Sequence, residues 1–210
     1  MSTPSYKLYG FDSAKTRPEF IRYMFHAANI PFDDFRITQE EWPKYKPKMP
    51  MGQLPVLEID GKRMLPQSIS IGRYIAKKGH FYGATAYESA LIDSICDLNN
   101  DVVLKVYPVM HAIFAQNDDL KEEEWNKVKD EVLKKYEFLE KTLKKNGTGW
   151  LVGKKVTMAD FFVAEFASRL IEHIDDTVLD DLPLMKKLMK TVHALPGVKE
   201  YIADRPKTLW

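Results

Sequence analysis

The chain has 210 residues, 45% hydrophobic and 29% charged, a balance typical of globular proteins, and it is long enough for one large domain or two small ones. Its 31 basic and 30 acidic residues leave a net charge of +1, which excludes a global attraction to nucleic acid or anionic membranes. The only cysteine, Cys96, excludes an intramolecular disulfide and favours a reducing, cytoplasmic location. Neither a signal peptide nor an apolar run of ~20 residues is found, and the five histidines lack metal-ligand spacing.

The first 79 residues alternate between strand and helix patterns. The aromatic-rich segment Tyr6–Phe11 predicts a strand, and apolar residues at helical spacing within Arg17–Asn29 predict a helix. Asp60-Gly61 predicts a two-residue hairpin turn, and a helix predicted from Ser68 to Lys78 stops at Gly79. The remaining predicted strands are Phe35–Ile37, Val56–Ile59 and Lys62–Leu65.

From residue 87 onward the periodic segments are helical. Residues 80–86 show no clear period and are interpreted as a linker, so the predicted domains are 1–79 and 87–210. A long helix is predicted over Ser89–Ala115, with Pro108 as the place for a kink. An amphipathic stripe from Trp125 to Leu143 predicts a second helix. Asn146-Gly147 predict the end of this helix, and a capping box formed by Thr157 and Asp160 predicts the start of another. Pro183 and Pro196 delimit two shorter predicted helices.

Two short motifs of the first domain suit the binding of a peptide that carries carboxylates. Pro55 stands immediately before a strand: a cis Leu54–Pro55 bond would leave the backbone of Leu54 free to pair with an extended peptide, whereas a trans bond would make this an ordinary loop proline. Gln67-Ser68 begin a helix, whose free N–H groups and dipole attract a carboxylate. Ser68 is either a plain N-cap or a hydroxyl donor to the ligand.

In their order and spacing, these motifs resemble the cytosolic glutathione transferases, and most closely their sigma class. The resemblance spans ~200 residues, and no single segment carries it alone. The matching segments are Ser5–Leu8, Glu41-Trp42-Pro43 with Lys46, Gly52–Gly61, Gln67-Ser68, Val156–Phe161 and Arg205-Pro206. The resemblance implies an α/β thioredoxin-like N-terminal domain, an all-α C-terminal helical domain, glutathione as co-substrate and no metal.

The resemblance also implies which residues hold glutathione. Trp42 and Lys46 would bind the glycyl carboxylate, the backbone of Leu54 the cysteinyl part, and Gln67 with Ser68 the γ-glutamyl carboxylate. The other implied binding residues are Phe11, Arg17, Gln53, Pro55 and Asp101. The alternative interpretations are a solvated lysine at Lys46 and a packing role for Trp42.

Asp101 lies on the first long helix of the second domain. The resemblance implies that it reaches the γ-glutamyl amine bound by a partner chain, and therefore that the protein is a homodimer. The sigma class has two adjacent acids here, whereas this chain has Asn100-Asp101, so Asn100 is the weaker candidate. The alternative for Asp101 is a solvated helix face.

The sequence differs from the sigma class at the residue that activates the thiol in that class. The sigma class carries Tyr-Lys-Leu-Thr-Tyr-Phe, in which the second tyrosine hydrogen-bonds the sulfur, whereas this chain has Tyr-Lys-Leu-Tyr-Gly-Phe from Tyr6. The tyrosine position is Gly10 when counted from the strand and Phe11 when counted back from Arg17.

Two hydroxyl groups are candidates to replace this tyrosine. Tyr9 is one residue early, and strand alternation turns it away from the site unless a bulge re-aims it. Ser13 is preferred, because it begins the Ser-Ala-x-x-Arg of the serine-type transferases and stands at a helix N-terminus, where a thiolate is stabilised. The third alternative is that neither hydroxyl group is catalytic.

The resemblance implies a glutathione transferase that conjugates the thiolate to small hydrophobic electrophiles, with no nucleic acid and no membrane as partner. Tyr107, Met110, His111 and Phe114 share one helix face, which lines the electrophile pocket or is plain core. Phe11 and Trp210 are further candidates to line that pocket. The alternative functions are a non-catalytic ligandin or crystallin-like binding protein and a glutathione-dependent prostaglandin isomerase.

Overall fold

The structure, a computed structural model, describes residues 4–12 and 16–206. The chain divides into two compact units, one formed by Met1–Phe81 with His193–Trp210 and the other by Tyr82–Val192. The elements in chain order are β1 (Tyr6–Phe11), α1 (Glu19–Ala27), β2 (Asp33–Ile37), α2 (Trp42–Tyr45), a 3-10 turn (Lys46–Lys48), β3 (Val56–Ile59), β4 (Arg63–Pro66), α3 (Ser68–Lys78), α4 (Ala86–Phe114), α5 (Asp118–Asn146), α6 (Met158–Arg169), a π-helical turn (Leu170–Ile174), α7 (Pro183–His193) and α8 (Val198–Asp204). The domain limits expected at residues 79 and 87 stay predictions.

The first unit contains a four-stranded mixed sheet in the order β2-β1-β3-β4. Strand β1 runs parallel to β2 and antiparallel to β3, and β3 pairs antiparallel with β4. Along β1 the side chains alternate, so that Tyr6 and Leu8 are buried while Lys7 and Tyr9 are partly exposed. The buried side joins a core that includes apolar residues of α1 and α3, such as Met24 and Ile75, which are completely buried.

Two predicted boundaries of the first unit are corrected. Helix α1 is shorter than the expected Arg17–Asn29 because Pro18 occupies its N-cap and Asn29 has a positive φ of 51°. The hairpin turn contains three residues rather than two. The N–H of Lys62 donates back to the carbonyl of Ile59 and closes the turn, so the first residue of β4 is Arg63.

The C-terminal segment of the described chain is fastened to α1 in the first unit. Arg205, from the Arg-Pro of the sequence match, donates to the carboxylate of Glu19 at 2.8 Å and to the hydroxyl of Tyr23 at 3.1 Å. The hydroxyl of Tyr201 on α8 donates to the same carboxylate at 3.0 Å. Because Glu19 is completely buried, these donors together with Arg22 satisfy a charge that would otherwise be costly.

The second unit consists of helices, in which the long α4 packs against both α5 and α6. Helix α4 continues through Pro108 as a single element. Helix α5 ends where predicted, at Gly147, whose left-handed backbone (φ 68°) forms the C-cap. The predicted capping box before α6 is confirmed: the carboxylate of Asp160 accepts from the N–H of Thr157 at 2.7 Å and from its hydroxyl at 2.8 Å.

These observations confirm the predicted fold class, a thioredoxin-like unit with a mixed sheet and an all-helical unit. Among the helices that the structure describes, none combines the length and apolar character needed to span a membrane.

Candidate functional site

The strand register brings three predicted segments of the first unit to one edge of the sheet. Tyr9 pairs with Val56, so continuing the antiparallel ladder brings Phe11 opposite Leu54. On the other side of β3, Val56 pairs with Pro66, so continuing that ladder brings Leu54 opposite Ser68. The predicted cis bond at Leu54–Pro55 is confirmed.

The backbone of Leu54 is available to a ligand at this edge. Its N–H and C=O make no hydrogen bond within residues 4–12 and 16–206. An extended peptide could pair with this segment as an added strand.

Phe11, Trp42 and Lys46 lie together beside this edge. The rings of Phe11 and Trp42 meet edge to face, with centroids 5.3 Å apart. Lys46 follows Trp42 by one helical turn, since its N–H donates to the Trp42 carbonyl. Within the described part of the chain, the indole N–H of Trp42 and the exposed ammonium of Lys46 have no hydrogen-bond or ion-pair partner, so both donors are free to meet an anion.

The loop before β3 contacts the side chains of both Lys46 and Gln67. A Cβ added to Gly52 would lie 3.7 Å from Cγ and Cε of Lys46, so the lysine side chain runs along this loop. The next side chain, Met51, accepts a hydrogen bond from the amide of Gln67 at 3.3 Å between Nε2 and Sδ. Met51 was not predicted to belong to the site. The feature that identifies it in the structure is its exposure, since 58% of this apolar side chain is accessible to solvent. Gln53 lies exposed in the same loop.

Gln67 and Ser68 form the N-terminal end of α3. Gln67 has φ 75° and ψ 114°, a backbone conformation that is costly for a residue with a side chain and that marks functional positions more often than others. Its side chain does not cap the helix. Ser68 is buried and begins the helix, where backbone N–H groups and the dipole favour a negative charge.

The structure distinguishes the two positions that could correspond to the missing tyrosine. A Cβ added to Gly10 would lie 2.9 Å from Nη2 of Arg22 and 3.0 Å from Cγ of Pro18, so this position faces the packed α1 side and has no room for a ring. Phe11 points to the opposite side of the sheet, where it contacts Trp42. The position beside the predicted site is therefore Phe11, which has no hydroxyl group.

Tyr9 does not point away from the predicted site, as strand alternation counted from Gly10 suggested. It shares this side of the sheet with Phe11, and no bulge is needed, because the pairing of β1 with β2 is regular and the site-facing position is Phe11. Its hydroxyl group donates to the carboxylate of Glu58 at 2.9 Å, and its ring packs on Phe35 at 5.3 Å. Burial and the hydrogen bond to Glu58 raise the pKa of Tyr9 to about 12. Nothing in the sequence pattern marked Glu58 as the partner, because this contact runs diagonally between strands.

Ser13 and Trp210 lie outside the described residues. Arg17 is described and lies in the turn before α1. No group of three or more His, Cys, Asp or Glu side chains that could hold a metal occurs in the described ranges.

In the helical unit, Asp101 is 61% exposed and accepts from Lys135 of α5 at 3.0 Å. The face of α4 that carries Tyr107, Met110, His111 and Phe114 is half-buried to exposed rather than core, with Phe114 exposed by 59%.

The comparisons with known proteins agree along the whole chain. The glutathione S-transferase N-terminal domain matches residues 4–77, and the C-terminal domain of the same family matches residues 105–205. A glutathione S-transferase of Anopheles gambiae is 38% identical over 98% of this chain and 98% of its own. The hematopoietic prostaglandin D synthase of Gallus gallus is 36% identical over 98% of each.

The solved structures include a monomeric glutathione S-transferase of the hookworm Necator americanus. It has 37% sequence identity, covers 98% of this chain and 100% of its own, and superposes with a TM-score of 0.89. Matches of this identity over nearly the full length of both chains establish common descent as well as a common fold. The chain therefore belongs to the glutathione S-transferase family.

Proposed function

We propose that the protein binds glutathione at the edge formed by β1, β3 and α3 and conjugates its thiolate to small hydrophobic electrophiles. The observation that carries this proposal is the convergence of Phe11, Leu54 and Ser68 at one sheet edge, next to the free donors of Trp42 and Lys46. The relatives named as glutathione S-transferases support the reaction class.

In the proposed complex, the tripeptide lies extended across this edge. Lys46 and the indole of Trp42 hold the glycyl carboxylate, and the backbone of Leu54, before Pro55, pairs with the cysteinyl residue. Gln67, Ser68 and the N-terminal end of α3 hold the γ-glutamyl carboxylate. Gln53 and Arg17 flank the ligand.

For the thiol, we propose Ser13 as the hydroxyl donor. The hydrogen bond from Tyr9 to Glu58 supports this choice, because Tyr9 must release that carboxylate before it can donate to a sulfur atom. Phe11 supports it as well, since it places an apolar ring where the sigma-class hydroxyl would stand. A hydroxyl donor together with a helix N-terminus lowers the pKa of the thiol and raises the thiolate fraction.

We further propose a homodimer of the sigma class with a cytoplasmic location. The exposed Asp101 would reach the γ-glutamyl ammonium bound by the partner chain. The motif match supports the class, and a single, buried cysteine, Cys96, fits a reducing compartment.

Two measurements on the purified chain test the proposed function. Calorimetric titration with glutathione measures binding, and turnover of glutathione with an activated aryl chloride, followed by absorbance, measures catalysis. Binding together with turnover supports the proposal, whereas the absence of binding refutes the proposed site.

A second candidate is a glutathione-binding protein without turnover. Phe11 in place of a hydroxyl residue and the occupied hydroxyl of Tyr9 favour it. Saturable binding with no turnover above the uncatalysed rate would select this candidate. The relative from Gallus gallus, named as a prostaglandin D synthase, suggests prostaglandin isomerisation as a third activity. It is tested by incubating the protein with glutathione and a prostaglandin endoperoxide and separating the products by chromatography, because an isomerisation forms no aryl conjugate.

A further inference from the structure

The loop that contacts both Lys46 and Gln67 carries an exposed methionine. Met51 stands at the corner of a tight turn, which the N–H of Gly52 closes by donating to the carbonyl of Met49 at 3.0 Å. The side chain of Met49 is buried and anchors the turn, whereas Met51 is exposed by 58%. Because residues 49–52 form this turn, the backbone keeps the Met51 side chain at the surface.

The sulfur atom of Met51 contacts a group that is proposed to bind the ligand. The amide of Gln67 donates to this sulfur atom, with 3.3 Å between Nε2 and Sδ. A thioether is a weak acceptor, so the contact leaves the amide available to a carboxylate. The backbone of Gln67, with φ 75°, fixes the point from which this side chain starts. Met51 therefore lies beside the donor proposed for the γ-glutamyl carboxylate.

Exposure distinguishes Met51 from the other sulfur-containing residues. Within residues 4–12 and 16–206, Met51 is the exposed methionine, and the others are buried or half-buried. Cys96 is completely buried. Because a dissolved oxidant must reach the sulfur atom that it oxidises, oxidation is directed first to Met51.

We propose that Met51 is an oxidation site through which peroxide weakens the binding of glutathione, an inference that rests on the proposed function. Hydrogen peroxide transfers one oxygen atom to the sulfur atom: an S–O bond forms, the O–O bond breaks and water leaves. The sulfur atom loses two electrons, and the peroxide gains them. The product is methionine sulfoxide, a polar side chain in the place of an apolar one.

The new oxygen atom changes the contact with Gln67. A sulfoxide oxygen is a much stronger acceptor than a thioether, and it is bonded directly to the sulfur atom that the Gln67 amide already faces. It therefore retains the amide and withdraws it from the γ-glutamyl carboxylate. The negative end of the S–O dipole also lies beside the place proposed for that carboxylate, and like charges repel. Both effects weaken the binding of glutathione.

The test compares the glutathione affinity of each protein before and after oxidation. Wild type and Met51→Leu are treated with hydrogen peroxide, catalase removes the peroxide, and peptide mass spectrometry measures the sulfoxide fraction at Met51 of the wild type. Titration calorimetry then gives the ratio of the oxidised to the untreated Kd, so that each protein is its own baseline. The expected ratio is about ten in the wild type, because one charge-assisted contact is lost, and about one in Met51→Leu.

The matched control is Met64→Leu, which removes a half-buried methionine of β4, keeps Met51 and is expected to show the wild-type ratio. Reduction of the oxidised wild type by methionine sulfoxide reductases A and B is expected to restore the untreated Kd.

Four results overturn the proposal: no oxidation at Met51, an unchanged Kd at a high sulfoxide fraction, an equal ratio in Met51→Leu, or no recovery of Kd once the sulfoxide has been reduced. An untreated protein that does not bind glutathione refutes the proposed function, on which the inference rests. That result is distinguished from the other four because it precedes oxidation.

Discussion

At Phe11 the protein presents a ring with no proton to donate, beside the indole that is proposed to hold the ligand. Gly10 does not occupy the place of the sigma-class tyrosine, because any side chain at this position would meet Arg22 and Pro18. Tyr9 has a hydroxyl group on the correct side of the sheet, but this hydroxyl group already donates its hydrogen bond to the carboxylate of Glu58. The chemistry of thiol activation in this chain thus depends on which hydroxyl group reaches the sulfur atom.

Ser13→Ala is expected to impair this chemistry, whereas Tyr9→Phe is expected to leave it almost unchanged. If Ser13 donates to the thiolate, Ser13→Ala raises the pKa of bound glutathione by about 1–2 units and reduces turnover near neutral pH about 10- to 100-fold. Tyr9→Phe changes turnover little, because the pKa of Tyr9 is raised to about 12 and its proton stays on the bond to Glu58. The measurement is the pH dependence of conjugation. A shifted profile in Tyr9→Phe alone would reverse the assignment.

Lys46→Ala is expected to weaken glutathione binding and to leave the fold intact. The loss is about 1–2 kcal/mol, or roughly 5- to 30-fold in Kd, because the lost contact to a carboxylate is charge-assisted but exposed. Titration calorimetry at two salt concentrations measures it, and the loss shrinks as salt rises. Lys44→Ala, which removes an exposed lysine of the adjoining helix α2, is the control. Equal affinities of the two variants would return Lys46 to the role of a solvated lysine.

At the scale of elements, strands β1 and β3 and helix α3 have the bounds predicted from the sequence, because period and turn residues mark them locally. Helix α2, of four residues, was not predicted, since so short a segment shows no period. The π-helical turn after α6 was missed for the same reason. The bonds of Arg205 and Tyr201 to Glu19 join residues more than 180 positions apart, and such contacts depend on tertiary packing rather than on local pattern.

In the candidate site too, local sequence motifs identified some residues, whereas the orientation and contacts of others depend on tertiary structure. The resemblance identified Trp42, Lys46 and Gln67 as candidates, and the structure places them along one connected edge. The direction of Phe11 and the partner of Tyr9 depended on the register of β1 with its neighbours, which no single segment encodes.

The capping box of α6 is expected to be a major source of stability in the helical unit. Asp160 is completely buried and accepts from the N–H groups of Leu151 and Thr157 at 2.8 and 2.7 Å. Asp160→Ala removes the cap and leaves two buried donors unpaired, which costs about 2–4 kcal/mol of unfolding free energy. Urea denaturation measures this loss. Asp180→Ala, which removes only an exposed pair with Lys186, is the control and should cost less than about 1 kcal/mol.

At the scale of the whole molecule, the proposed homodimer rests on Asp101. Its Oδ2 accepts from Lys135, and within the described part of the chain Oδ1 has no partner, so the side chain can accept from a second cation. One chain has a mass of 24.3 kDa, and the proposed dimer has twice that mass. Light scattering distinguishes the two masses. The related hookworm protein titled as monomeric shows that the family fold alone does not decide the oligomeric state.

Mixing two defective variants is expected to restore activity if Asp101 serves the site of its partner. In a mixed dimer of Asp101→Asn and Lys46→Ala chains, the site on the Asp101→Asn chain has its own Lys46 and receives the intact Asp101 from the Lys46→Ala chain. One of the two sites is then of wild-type composition, and the other carries both defects. Refolding the variants together at equal concentration should therefore give conjugation activity well above the mean of the two separate proteins. Activity equal to that mean, in a sample that light scattering shows to be dimeric, would mean that Asp101 acts within its own chain or not at all.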